Sequence, residues 1–283
     1  MALACFITFL TPLVRVASCD DAPTTRIVSL VPSVTETLFA IGAGGMVAGV
    51  SDYCNHPEQA ALKPRVGALL NFDIEKIVSL RPTAVVILNS QADLGGKLEG
   101  IGIRAVTVRS DSLGDVFDLI ATAGEMTGRR REAAELSGSI RASLARLREA
   151  ATTAPRARAL IIVGRQPASL QNIYAAGPAT YLGEIIDAAG GRNMAPAGGI
   201  SYPPLSKEQI AAMDPEVIID LSPGEAGRNT RVAEAHTAAW KQLPQISAVR
   251  SGRIFCLADT HLTVPGPAIP ETAQKIADLL GRR

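Results

Sequence analysis

Short runs of Val, Ile and Leu alternate along the chain with longer segments whose apolar residues recur every three or four positions. The runs have the length and β-branched content of buried strands, and the longer segments have the period of amphipathic helices. Strands that alternate with helices predict parallel sheets joined by crossover helices. The predicted strands lie near Arg26–Leu30, Val47–Ser51, Ala84–Leu88, Arg104–Val108, Arg158–Val163, Val217–Leu221 and Arg253–Leu257, and a closing helix runs from about Glu271 to Leu280.

One segment between the two groups of strands is predicted to be a single long helix. From Arg129 to about Thr152 there is no proline, and Leu136, Ile140, Leu144 and Leu147 follow a helical spacing. The fold class is therefore α/β, with two Rossmann-like lobes whose mostly parallel central sheets are joined by one long helix. The expected divisions are a signal peptide and short linker over 1–25, an N-terminal lobe over 26–128, the helix over 129–152 and a C-terminal lobe over 153–283.

A helix–strand unit occurs twice. The segment from Glu75 to Leu88 aligns without gaps on the segment from Glu208 to Leu221, and each places a Glu and an Ile before a Pro that precedes a buried strand. A proline in that place ends a helix. We interpret the match as a duplicated unit, which indicates that the two lobes are built alike. Nearer the N-terminus, Ser33-Val-Thr-Glu36 has the spacing of a capping box and predicts the start of another helix.

The first residues form an apolar run that ends in small residues just before Cys19. The run is too short to cross a membrane and is typical of an export signal. The quartet Val16-Ala17-Ser18-Cys19 resembles the lipobox of bacterial lipoproteins, in which the cysteine carries the lipid. We therefore expect a periplasmic or cell-surface protein with a lipid on Cys19. Export would leave Cys54 and Cys256 in an oxidising compartment, free or paired.

Charge and motifs narrow the class of function. Lys and Arg number 28 against 27 Asp and Glu, so no net field favours a polyanion and nucleic acid is not an expected partner. There is no G-x-S-x-G elbow, H-E-x-x-H motif or P-loop, which argues against an enzyme. The three histidines His56, His236 and His261 leave a metal-ion site as an alternative, although one zinc site would need ligands from several loops.

The stretch SDYCNHP, from Ser51 to Pro57, follows a predicted strand. Open parallel sheets bind ligands beyond the carboxyl ends of their strands, so this loop is a candidate pocket wall. Tyr53 offers a flat apolar face suited to a planar macrocycle. Cys54 and His56 could contact the ligand, with His56 coordinating a central metal, or they could cap the next helix. The weaker alternative is that the Cys54 thiol and the His56 imidazole form a catalytic pair.

Taken in order, several motifs resemble the substrate-binding proteins of ATP-binding-cassette importers, in the long-helix class that carries vitamin B12, haem and iron–siderophore complexes. The resemblance runs from about Arg26 to the C-terminus. The motifs are RIVSLVPSVTE at Arg26, GVSDY at Gly49, NFDIEKIVSLRP at Asn71, SKEQI at Ser206 and VPGP at Val264. The context of Tyr53 is most similar to the cobalamin-binding branch, where the matching tyrosine lies against the corrin ring. That branch commonly lines its cleft with tryptophans, whereas the sole tryptophan here is Trp240.

The resemblance implies a protein that binds a metal-centred small molecule between its lobes and has no cofactor or resident metal of its own. It implies a monomer whose partners are a permease with its ATPase, and contact with the membrane through a lipid anchor alone. Glu75 and Glu208 match the glutamates that dock on arginines of the permease. The loop Ser201–Pro204 and the loop Asp259–Thr263 follow the other lobe's strands, although Tyr202 could equally be a turn residue stacked on prolines. The expected ligand contacts are Ser33, Tyr53, Cys54, His56, Asn89, Tyr202, Thr260, His261, Leu262 and Thr263.

Overall fold

A computed structural model of the chain describes residues 25–68, 71–151, 155–221, 234, 237–257 and 263–281. The predicted export signal with Cys19 lies outside these residues, as do the predicted ligand contacts Thr260, His261 and Leu262.

The secondary structure follows the alternation of the sequence. The strands are β1 (Ile27–Ser29), β2 (Val47–Val50), β3 (Gly67–Ala68), β4 (Asn71–Phe72), β5 (Ala84–Leu88), β6 (Ala105–Val108), β7 (Ala157–Gly164), β8 (Ile173–Ala175), β9 (Gly191–Asn193), β10 (Pro204–Leu205), β11 (Val217–Asp220) and β12 (Ile254–Cys256). The helices are α1 (Pro32–Ala40), α2 (Glu58–Ala61), α3 (Ile74–Ser79), α4 (Ala92–Gly100), α5 (Leu113–Thr127), α6 (Arg130–Ala150), α7 (Tyr181–Ala188), α8 (Lys207–Met213), α9 (Ser247–Arg250) and α10 (Ile269–Gly281). All seven predicted strands are present, each within one residue of its predicted ends.

The strands form two main sheets. The first is wholly parallel, in the order β2-β1-β5-β6. The second has the order β10-β8-β7-β11-β12, in which β7, β11 and β12 are parallel, β8 and β10 are antiparallel, and β9 joins β7 in parallel. The predicted α/β fold with two mostly parallel sheets is confirmed. The short strands β3, β4, β8, β9 and β10 were not predicted, because two or three residues carry too little periodicity.

The long helix α6 contains 21 residues, from Arg130 to Ala150, and spans about 31 Å at the standard helical rise. Ile140 and Leu144 are buried, and Leu136 and Leu147 are partly buried against the same core, as their spacing predicts. This apolar stripe packs on α5, α7 and α10. The helix therefore contacts helices of both lobes.

The two sheets share one hydrophobic core. A single cluster of buried side chains includes Ile27 and Val86 from the first sheet, Ile161 and Ile219 from the second, and Ile140 from α6. Each of these side chains is at most 1% exposed. The lobes are therefore held together by continuous apolar packing as well as by the helix that connects them.

The predicted capping box at Ser33 is wrong. Helix α1 begins one residue earlier, at Pro32, and its N-cap residue Val31 makes no side-chain cap. Proline suits the first helical position because its fixed φ angle is helical and its missing N–H has no helical partner there. Glu36 consequently lies inside the helix and is only 6% exposed.

The duplicated helix–strand unit is present in both lobes. Helix α3 precedes β5 and helix α8 precedes β11, and the corresponding Ile77 and Ile210 are both fully buried. The match extends to backbone geometry, because Arg81 and Asp214 have φ angles of 46° and 42° at equivalent places before the proline. Non-glycine residues seldom adopt this left-handed conformation, so its recurrence is independent support for duplication.

Candidate ligand-binding site

The carboxyl ends of strands from both sheets border a common cavity of about 360 Å³. Ser110 and Asp111 follow β6, Val163 lies near the end of β7, and Leu221 follows β11. Loops at this end of a parallel sheet carry ligand sites because they are free of the packing that fixes the strands. The remaining lining residues that the structure describes are Tyr181, Leu182, Tyr202, Thr263 and Pro265.

Two hydrogen bonds join the two lobes beside this cavity, and a third links two segments of the second lobe. The Tyr181 backbone N–H donates to the Asp111 carbonyl at 2.7 Å, and the Tyr181 hydroxyl donates to the Thr263 carbonyl at 2.5 Å. The Glu184 carboxylate of α7 accepts from the Leu113 N–H at 2.7 Å. Leu113 is the first residue of α5, where unpaired N–H groups favour an acidic partner. The cavity thus has a fixed base formed by both lobes.

The two tyrosines at the cavity are neutral hydrogen-bonding groups at physiological pH. Burial, and after it the charge of Asp111, raises the pKa of Tyr202 to about 12. Burial is also the main cause that raises the pKa of Tyr181. Both phenols therefore keep their protons, and the Tyr181 proton is donated to the Thr263 carbonyl. Such amphipathic surfaces suit a large organic ligand better than a small ion.

Of the predicted contacts, the structure brings Tyr202 and Thr263 to this cavity. Tyr53 lies in the turn after β2 and Asn89 directly follows β5, so both stand at carboxyl strand ends of the first sheet. Tyr53 is 57% exposed. An aromatic ring with that much free surface has area to bury against a ligand, and its role stays a prediction.

Two predicted contacts are buried in the protein core instead. Cys54 has no exposed surface, its sulfur accepts a hydrogen bond from Thr35 Oγ1 at 3.1 Å, and it lies 3.2 Å from Ser51 Oγ. Burial raises the pKa of this thiol, so Cys54 is a packed, protonated side chain and not a ligand contact. Ser33 is 2% exposed, lies against Gly266 and is not among the described residues that line the cavity.

His56 is exposed, but it borders a different cavity, of about 770 Å³, beside α1 and the start of α10. Glu36, Phe39 and Glu271 line the same cavity, which shares no described lining residue with the cavity that contains Asp111. Burial raises the pKa of Glu36 to about 8. His56 therefore does not line the cavity that contains Asp111, and its contact with a ligand stays a prediction. Among the described residues there is no group of three metal-ligating side chains around His56 or elsewhere.

Glu75 and Glu208 occupy the same place in the two copies of the duplicated unit. Each is exposed in the first turn of its short helix. Asp73 and Ser206 cap these helices, their side chains accepting from Lys76 N–H at 2.8 Å and from Gln209 N–H at 3.2 Å. A hydrogen bond from Ser206 lowers the pKa of Glu208. Both glutamates thus project from equivalent, well-capped helices outside the cavity.

Comparison with known proteins decides the family. The sequence profile described as "Periplasmic binding protein" matches residues 27–260, which is most of the chain. The chain belongs to this family of binding proteins. A cobalamin-binding protein of Halobacterium salinarum is 29% identical over 264 residues, with 91% of this chain and 70% of that protein covered.

Two solved structures resemble this binding protein closely in fold. The periplasmic haem-binding protein RhuT of Roseiflexus sp. RS-1 is 26% identical, with a TM-score of 0.74 and coverage of 91% of this chain and 98% of that one. The periplasmic vitamin B12-binding protein of Vibrio cholerae gives a TM-score of 0.74 at 24% identity, covering 91% and 97% of the two chains. Within the described residues, no helix is both long and apolar enough to cross a membrane.

Sequence reasoning missed Asp111 and Tyr181. Asp111 had a usable signal, because Ser110-Asp111-Ser112 closely follows a predicted strand that ends at Val108. Tyr181 had none, because its place at the cavity depends on hydrogen bonds to residues far away in the chain.

Proposed function

We propose that this protein is the exported substrate-binding component of an ATP-binding-cassette importer and that it carries a corrinoid such as vitamin B12. The observation that carries the proposal is the cavity between the carboxyl ends of the two sheets, where Ser110 and Asp111 of the first lobe face mostly aromatic and aliphatic groups of the second. The similarity to the cobalamin-binding protein of Halobacterium salinarum supports a corrinoid. No catalytic step is required of the protein.

The cavity is too small to enclose a whole corrinoid. Its size agrees with an open groove, in which part of the ligand lies outside the cavity. It corresponds to the base of the site, where described residues of both lobes meet, while Tyr53 and Asn89 stand at strand ends of the first sheet. We propose that the ring lies above this base with one face on Tyr53. Burial of that aromatic side chain would contribute about 1.5–3 kcal/mol.

A haem is the second candidate ligand, because the Roseiflexus haem-binding protein is 26% identical to this chain. An iron–siderophore complex belongs to the same group of metal-centred ligands. Calorimetric titration of the purified protein with cobalamin, haem and a ferric siderophore separates the three. Tight binding of cobalamin alone supports the corrinoid proposal, and binding of haem alone refutes it.

The role of Tyr53 is tested in the same titration. Tyr53→Ala should weaken cobalamin binding by roughly tenfold or more, because it removes the buried ring. Tyr53→Phe keeps the ring and should bind nearly as well as the unaltered protein. Leu62→Ala, at a position that is 86% exposed, controls for loss of surface apolar area elsewhere. Equal affinities for all four proteins would remove Tyr53 from the site.

Delivery requires a membrane partner, and we propose that Glu75 and Glu208 dock on it. Two carboxylates on equivalent helices of two like lobes suit a permease built from two like subunits. Arginines are the expected counterparts because they pair with carboxylates in a bidentate manner. We further propose that the protein acts as a monomer held at the membrane by a lipid on Cys19.

A further inference from the structure

The base of the cavity between the lobes carries a negative charge. Of the described residues that line it, Asp111 is the one with a charged side chain, and no Lys, Arg or His is among them. The other lining groups are aliphatic side chains, hydroxyls and rings. The electrostatic character of this part of the site therefore depends on Asp111.

Arg109 neutralises this charge only in part. Its Nη2 lies 3.5 Å from Asp111 Oδ2, and its Nε lies 3.3 Å from Asp115 Oδ1, so one guanidinium is shared between two carboxylates. The Arg109 side chain is 63% exposed, and solvent screens exposed pairs of this kind strongly. The Asp111 side chain is 38% exposed, which leaves it accessible from the cavity.

Among the groups at the base of the cavity, the Asp111 carboxylate is the strongest hydrogen-bond acceptor. Tyr202 stays protonated because its pKa is raised to about 12. The Thr263 carbonyl already accepts from the Tyr181 hydroxyl, and the Asp111 backbone carbonyl accepts from the Tyr181 N–H. The Asp111 carboxylate thus offers lone pairs to a ligand without disturbing the contacts that join the lobes.

We propose that Asp111 is a specificity-determining residue of this cleft. Its carboxylate accepts hydrogen bonds from neutral N–H donors, such as primary amides on the edge of a macrocycle, and repels a ligand that carries carboxylates there. Hydrogen bonds to a charged acceptor are stronger than neutral ones, and like charges in contact oppose binding. The inference rests on the proposed function and deepens it, since it favours amide-bearing corrinoids over haem with its two propionates.

The test compares two corrinoids that share the ring and the cobalt but carry either primary amides or free carboxylates at the periphery. Haem is titrated as a third probe. The unaltered protein should bind the amide form at least about tenfold more tightly than the carboxylate form. Asp111→Asn, which keeps the size and the backbone carbonyl, should reduce that ratio by about tenfold, equivalent to about 1.4 kcal/mol. Asp111→Glu keeps the charge and should preserve the preference.

Asp118→Asn is the matched control, because it removes the same charge from an exposed position on α5 that does not line the cavity. It should leave the ratio unchanged. If the amide corrinoid binds tightly but without preference, or if Asp111→Asn and Asp118→Asn give the same ratio, the inference fails and the proposed function stands. If haem binds and neither corrinoid does, both fail. Should Asp111→Asn not fold, a lost preference in the charge-retaining Asp111→Glu variant would overturn the inference.

Discussion

Replacing Glu36 by Gln should make the protein more stable at alkaline pH. Glu36 is 6% exposed in α1 and has its pKa raised from 4.5 to about 8 by burial. The folded state therefore keeps a proton that the unfolded state releases near pH 4.5. Between these two values the folded state binds more protons, so stability is lost as the pH rises from about 4.5 to 8. Glutamine is neutral at every pH, so the Glu36→Gln variant should not lose folding stability from this cause as the pH rises.

The size of the effect follows from the shift in pKa. Each unit corresponds to about 1.4 kcal/mol, so the shift from 4.5 to about 8 sets an upper bound of about 5 kcal/mol. Relaxation and water penetration reduce such penalties in real proteins. We therefore expect Glu36→Gln to be more stable than the unaltered protein by about 2–4 kcal/mol at pH 9, and nearly equal to it at pH 5.

Urea unfolding at several pH values measures this difference. Trp240 is the sole tryptophan and is fully buried, so its fluorescence reports unfolding. His56 and Glu271 line the same cavity, so a control at a neighbouring charged residue is necessary. Glu271→Gln changes the same charge at an exposed position and should leave the pH dependence as it is. Equal stability of Glu36→Gln and the unaltered protein at pH 9 would refute the reasoning.

Two further predictions concern the partners. The double change Glu75→Ala with Glu208→Ala should leave ligand affinity unchanged and sharply reduce ligand-stimulated ATP hydrolysis by the reconstituted importer. Glu99→Ala is a control at another exposed glutamate. Normal ATP hydrolysis by the double variant, or a collapse of its ligand affinity, would contradict docking. A radioactive fatty acid should label the unaltered protein in cells but not the Cys19→Ala variant. An unlabelled product that begins just after Ser18 would instead show ordinary signal cleavage.

Much of the fold could be predicted because its signals are local. The strands are runs of β-branched residues, and α6 carries a regular apolar stripe around Ile140 and Leu144. The duplicated unit could be seen from Pro82 and Pro215 with the residues around them. Each of these features depends on neighbours within one element, where hydrophobic periodicity is informative.

The site was harder to predict because its geometry depends on distant residues. Cys54 follows an exposed tyrosine in a polar loop, yet its thiol meets Ser29 and Thr35, from two other parts of the chain, as well as Ser51 of the same loop. Ser33 is covered by Gly266, which lies more than two hundred residues later in the sequence. No pattern within the loop indicates either contact. The strand-end rule points to loops, but which side chains in them turn inward is decided by tertiary packing.

The common core of the two lobes bears on how proteins of this architecture can diversify. Because Ile27, Ile140, Ile161 and Ile219 belong to one packed cluster, a lobe taken from a relative would meet an apolar surface shaped for a different neighbour. Cores tolerate such mismatches poorly, since cavities and overpacking both destabilise. Recombination of whole lobes is therefore a costly route to a new cargo. Substitution in the strand-end loops leaves the packed interior untouched. Relatives that bind different cargo should therefore differ in sequence mainly in those loops and less in the interior.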